Sequence, residues 1–173
     1  YLRDGRRGDD LWERVMAAGK PHDIRPTGPS DIRRIEAGIL NWGADMTLEN
    51  NVYELGLERL VDENKSGDYI GRDALRRIKA GGVARQLVGV EIGGDPIEFN
   101  TTKWPVRAGG AVVGHVTSAI HSPRLKRNIA YAWVPVAHAA LGTRLAVAAP
   151  GGERPATVVA KPFVDPEKAI PKS

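Results

Sequence analysis

Leu11, Trp12, Val15 and Met16 fall on one helical stripe, Asp10 and Glu13 stand at capping-box spacing, and Gly19 then Pro21 close the run. A helix is predicted over 10–18. Tyr1 to Gly5 reads as the end of a strand entering a glycine turn. After the Pro26–Pro29 loop, Ser30 or Asp31 can cap a second helix whose Ile32, Ile35 and Ile39 share a face, with Arg33, Arg34 and Glu36 around it. Residues 55–62 alternate loosely, as a strand would. Asn64 to Asp68 is a turn, and Arg72 to Lys79 a short helix ended by Gly81 and Gly82.

From Arg85 the pattern changes to short strands. Strands are predicted over 86–92, 105–107, 112–117, 128–134, 144–148 and 156–161, with glycine turns at Ala108-Gly109-Gly110 and Pro150-Gly151-Gly152-Glu153. Short strands in succession suggest a closed or nearly closed antiparallel barrel. The class is therefore α+β, with a boundary near Gly82 to Ala84 that separates region 1–83 from a barrel domain, 84–173. Asp165 to Ser173 reads as a polar tail.

Composition changes the picture in a few respects. With 42% hydrophobic and 27% charged residues the chain is globular, and the absence of cysteine excludes disulfides, thiolate metal sites and cysteine nucleophiles. No run approaches the length of a membrane span and no signal peptide opens the chain, so a cytoplasmic protein with no membrane partner is expected. A first residue other than methionine suggests a piece of something longer. Lysine and arginine balance acidic residues 14 to 15 over 1–83 but exceed them 11 to 6 over 84–173, so the barrel is the basic part. That charge suits an anionic small molecule; nucleic acid is disfavoured because the few aromatic residues are not interleaved with the basic ones.

His22, His115, His121 and His138 lack metal-ligand spacing, so no metal site is expected, and His115 reads as a partly buried structural histidine. Ser118, His121 and Ser122 lie close together without a nucleophile elbow and read as loop residues. The residues taken by themselves indicate no chemistry.

Five segments in order resemble the glycine-cleavage T-protein (aminomethyltransferase) superfamily: Arg34 to Gly38, Glu54 to Leu57, Tyr69 to Leu75, Val116 to Ser118 with Ser122 to Ala130, and Val158 to Phe163. The resemblance implies a ferredoxin-like α/β region, of which 1–83 would be the C-terminal remnant, followed by the antiparallel β-barrel. It implies tetrahydrofolate as cofactor, a small methyl or aminomethyl donor as substrate, and the N-terminal half of the same protein as partner. The family's catalytic aspartate and a pterin-binding glutamate would lie upstream, so no catalytic residue is expected within this chain, and the chain alone is expected to be inactive.

Two departures bear on the subfamily. Ser30 stands where T-proteins carry a folate-contacting arginine, and Val164 to Lys168 lacks the tyrosine that follows their Lys-Pro-Phe segment. Ser30 to Glu36 and Lys161 to Pro166 instead resemble dimethylsulfoniopropionate demethylase-like members, in which folate accepts a methyl group from a sulfonium. On that alignment Tyr1 falls at a substrate-pocket tyrosine, whose ring face suits a cation, and Ser30 and Arg33 are the cofactor-binding candidates. The resemblance implies a tetrahydrofolate-dependent methyltransferase or demethylase. The alternatives are an aminomethyltransferase of glycine cleavage and a non-catalytic, RNA-linked or regulatory folate-binding relative.

Overall fold

The computed structural model describes residues 2–62, 64–167 and 169. The chain forms two compact units, Tyr1–Ser30 and Asp31–Ser173. In the first unit, Asp4 accepts from the Arg6 backbone N–H at 3.1 Å and starts a 3₁₀ turn at Gly5–Arg7, where the sequence predicts a strand end. Helix α1 follows, Gly8–Gly19, with Asp9 and Asp10 in its first turn, where carboxylates favour the positive end of the helix dipole. No residue of α1 is buried.

The second unit opens with α2, Asp31–Glu36. Gly38 ends it in a left-handed conformation (φ 73°), with its N–H bonded to Ile35 O and that of Ile39 to Arg34 O. A side chain at Gly38 would also press on Pro162, its Cβ only 3.2 Å from the ring. Residues 55–62, predicted as a strand, are instead turns and a 3₁₀ segment, Glu58–Leu60. Local side-chain bonds explain the difference: Asn51 Oδ1 accepts from the Tyr53 and Glu54 N–H groups, and Glu54 Oε2 accepts from Asn51 N. These bonds supply what a partner strand would have supplied. Helix α3, Arg72–Gly81, lies within two residues of its predicted end.

Six strands then close a barrel: β1 Arg85–Ile92, β2 Trp104–Ala108, β3 Ala111–Ser122, β4 Arg127–Pro135, β5 Arg144–Ala149 and β6 Gly152–Val159. All neighbours are antiparallel in the order β1-β4-β3-β2-β5-β6, with β6 returning to β1. The α+β class and the antiparallel barrel stand. Strand β6 begins four residues before its predicted start. Strand β3 runs to Ser122 rather than Thr117, so Ser118, His121 and Ser122 are strand residues, not loop residues. Pairing with β4 continues through Ala119↔Ala130 to Ser122↔Arg127, which is why the polar run stays extended.

A six-stranded barrel has a narrow interior, and small side chains fill it. Val90, Val106, Val116, Ala119, Ala130, Ala132 and Val147 are fully buried there. Strand β4 alternates those alanines with Ile129, Tyr131 and Trp133, which face outward yet are also buried, because Ile35 and Leu55 from the preceding segment pack against them. The outer face of β4 thus carries a second apolar layer, and the polar residues beside it form the site.

Candidate functional site

Helix α2 presents Asp31, Arg34 and Glu36 within two turns, and the last two are directed into the second layer. Arg34 donates from Nε to Asp31 at 2.7 Å, from Nη1 to Asp45 at 3.0 Å, and from Nη2 to Ser118 Oγ at 3.0 Å. Its guanidinium lies 5.7 Å from the centre of the Phe99 ring. Asp45 is 1% exposed, and its carboxylate accepts four bonds: from Arg34, from the Asn41 N–H at 2.8 Å, and from the Thr117 and Ser118 hydroxyls at 2.6 Å each. A buried carboxylate so surrounded has its hydrogen-bonding capacity satisfied.

Adjacent strand residues normally point to opposite faces, yet Thr117 and Ser118 reach one carboxylate. The register between β3 and β4 shifts between Val116 and Ser118, so Thr117 is the extra residue of a β-bulge, and the bulge aims both hydroxyls at Asp45. Trp133 Nε1 donates to Asp45 O at 3.0 Å, and Tyr131 OH donates to Ile35 O at 2.9 Å. Burial, then the nearby Asp45 charge, push the Tyr131 hydroxyl pKa up, so it stays a donor.

At the other end of α2, Ser122 Oγ donates to Glu36 and accepts from the Leu125 N–H at 3.1 Å. The Phe163 and Val164 N–H groups bond to Glu36 O, which ties the segment after β6 to the helix end. Lys161 Nζ donates to Leu55 O at 2.8 Å, and burial pushes its pKa down to about 8.

Of the residues singled out in the sequence, Tyr1 lies outside the described residues. Ser30 is half-buried, the last residue of the first unit. Arg33 is exposed on α2, whereas Arg34 and Glu36 belong to the buried network. His115 is half-buried on β3, its pKa lowered by burial first and then by Lys103 and Arg85. Among the described residues no three histidine or acidic side chains gather as a metal would require, and no helix is long and apolar enough to cross a membrane.

Four of the five segments that drew attention in sequence converge in space. Arg34 and Glu36 from the first, Leu55 from the second, Thr117, Ser118 and Ser122 from the fourth, and Lys161 and Phe163 from the fifth all meet around α2. Residues 2–65 match the model of the GCVT N-terminal domain, and residues 85–165 match that of the glycine cleavage T-protein C-terminal barrel domain. The chain belongs to the glycine-cleavage T-protein superfamily.

Similar proteins within the superfamily are named for different reactions. Dimethylsulfoniopropionate demethylase of Ruegeria pomeroyi is 42% identical over 158 residues, which are 91% of this chain and 43% of that protein. An aminomethyltransferase of Symbiobacterium thermophilum is 43% identical over 157 residues, 88% of this chain and 41% of the relative. The crystal structure of the glycine cleavage system aminomethyltransferase T from Bartonella henselae superposes with a TM-score of 0.70 at 27% identity, over 78% of this chain and 38% of that one. The chain thus spans about two fifths of the length of these relatives. Asp45, the centre of the network, lies outside every segment quoted from the sequence. Nothing in its neighbours Ala44 and Met46 marks it, because apart from the nearby Asn41 N–H its carboxylate's partners are 11 to 73 residues away.

Proposed function

We propose that the full-length protein moves a one-carbon group from a small sulfonium or amine donor to tetrahydrofolate, and that this chain forms one wall and the barrel lid of the folate channel. The observation that carries this reading is the match to both the N-terminal and the barrel family models in one chain, with relatives about 40% identical that are named as a demethylase and as aminomethyltransferases. Tetrahydrofolate, when bound, supplies the nitrogen that accepts the one-carbon group. The chain's part is binding and orientation. Arg33 offers an exposed guanidinium on a helix whose other side is knotted to the barrel through Arg34 and Asp45, a rigid mount suited to a folate carboxylate. The Ser30 hydroxyl is the second polar group for the cofactor, and Tyr1 is the donor-binding residue. The donor itself and the upstream half of the protein are the implied partners, in a cytoplasmic setting.

Transfer of a methyl group from a sulfonium is favoured over glycine cleavage by Ser30, which removes a cation from the wall, and by the segment after Phe163, which lacks a tyrosine. The aminomethyltransferase reading rests on the 43% identity to such an enzyme. Calorimetry with tetrahydrofolate on the full-length protein, followed by methyl-transfer assays with dimethylsulfoniopropionate and aminomethyl-transfer assays, separates the readings. Saturable folate binding with methyl transfer is expected. Absence of folate binding would sink the proposal, and steep salt-dependent RNA binding in its place would point to the non-catalytic relative.

A further inference from the structure

Lys161 differs from the other lysines in its surroundings. Its stem runs beneath the Leu55–Leu57 turn, and Nζ makes one bond, to Leu55 O at 2.8 Å. Beside it opens a cavity of about 80 Å³, lined by Gly38, Leu40, Gly56, Leu57, Arg59 and Pro162 among others. Gly56 lines it without a side chain, and a Cβ there would stand in ordinary contact with Nζ at 3.7 Å. The cavity holds two or three water-sized groups, at roughly 30 Å³ each.

The charged groups facing Nζ are Asp45 and Glu58, both of which favour the ammonium, and Arg59, which lines the same cavity. Asp45 is already neutralised by Arg34. Burial outweighs both acids and brings Lys161 down to about 8 from 10.5, so its neutral fraction at pH 7 is roughly 300-fold that of an ordinary lysine.

We propose that Lys161 is an acylation site for small, anionic acyl donors of the acyl phosphate class. Nζ, as the free amine, attacks the carbonyl carbon. The bond from that carbon to the phosphate oxygen breaks, the electron pair leaves with the phosphate, and the Nζ proton passes to water. Arg59 attracts the anionic donor to the cavity mouth. The amide product keeps an N–H for Leu55 O and removes a charge that burial disfavours, a gain that exposed lysines lack.

The test is competitive labelling of the intact protein with acetyl phosphate, with site occupancy read by peptide mass spectrometry against the exposed Lys20 and Lys103, and with a bulky biotin succinimidyl ester as size control. Lys161 is expected to acetylate about tenfold faster than either, with a pH midpoint near 8. The preference should reverse with the bulky ester and vanish in urea, since it comes from the folded cavity. Acetylation of Lys161 no faster than Lys20 and Lys103, a rate still climbing in parallel with theirs at pH 10, or a preference that survives urea would overturn the proposal.

Discussion

At the scale of single residues, the Arg34–Asp45 pair shows why burial turns a modest interaction into a strong dependence. Arg34 retains 14% of its side-chain exposure and Asp45 none, so removing one partner strands the other away from water. Asp45→Ala is expected to destabilise the protein by about 3 to 5 kcal/mol, measured by urea unfolding. Asp45→Asn should lose most of the same, because an amide nitrogen in place of Oδ2 would face the Arg34 and Asn41 donors. Lys161 gives a pH signature. Its folded pKa of about 8 lies below its unfolded value of 10.5, so folding releases a proton between those limits; the contribution of Lys161 is present at high pH and is lost as pH falls through 8. Tyr131 is shifted the other way, and its contribution is present below its unfolded pKa of 10 and lost above it. A Lys161→Met variant keeps Tyr131 and isolates the lysine: the wild type should gain about 2 kcal/mol relative to it between pH 7.5 and 10. On the proposed cofactor role, Arg33→Ala is expected to weaken tetrahydrofolate binding by the full-length protein about tenfold, measured by calorimetry. Almost none of this residue-scale picture was legible in sequence. Asp45 sits in a short turn between Trp42 and Met46, and the hydroxyls it collects, Thr117 and Ser118, share its carboxylate only through a bulge that no spacing rule announces.

At the scale of elements, alternation and turn chemistry were legible, and non-local pairing was not. The strands from Arg85 onward form in their predicted order, and the Gly109-Gly110 turn has both residues at positive φ, as a tight hairpin requires. The segment 55–62 shows the limit: loose alternation describes a strand only if an edge waits beside it, and here Asn51 and Glu54 closed the backbone locally first. The β3–β4 pair depends on close approach. A Cβ at Gly114 would stand 1.9 Å from Trp133 O, a clash with backbone that no rotamer relieves. Gly114→Ala should therefore destabilise by about 2 kcal/mol or more and lower the melting temperature accordingly. Gly110→Ala, with open space around its Cβ position, serves as comparison; its effect should come only from the positive φ of 86°.

At the scale of the molecule, stability is concentrated in the second unit. Both faces of β4 are buried, by the barrel interior and by the layer carrying Ile35 and Leu55, whereas α1 buries nothing among the described residues. Hydrogen exchange is expected to follow that division: amides of β1, β3 and β4 should exchange only through global unfolding, and those of Gly8–Gly19 with little more protection than an isolated helix of twelve residues. Equal protection in α1 and β4 would contradict it.

The sequence by itself determined the α+β class, the antiparallel barrel and the superfamily, because hydrophobic period, glycine turns and ordered motifs are properties of neighbours along the chain. Only the tertiary structure decided which polar residues matter. Arg34 chooses Asp45 and Ser118 across 11 and 84 residues, and Lys161 reaches Leu55 across 106. Those choices follow from burial, which makes each unpaired charge or carbonyl costly and thereby selects its partner, and burial exists only once the barrel has closed.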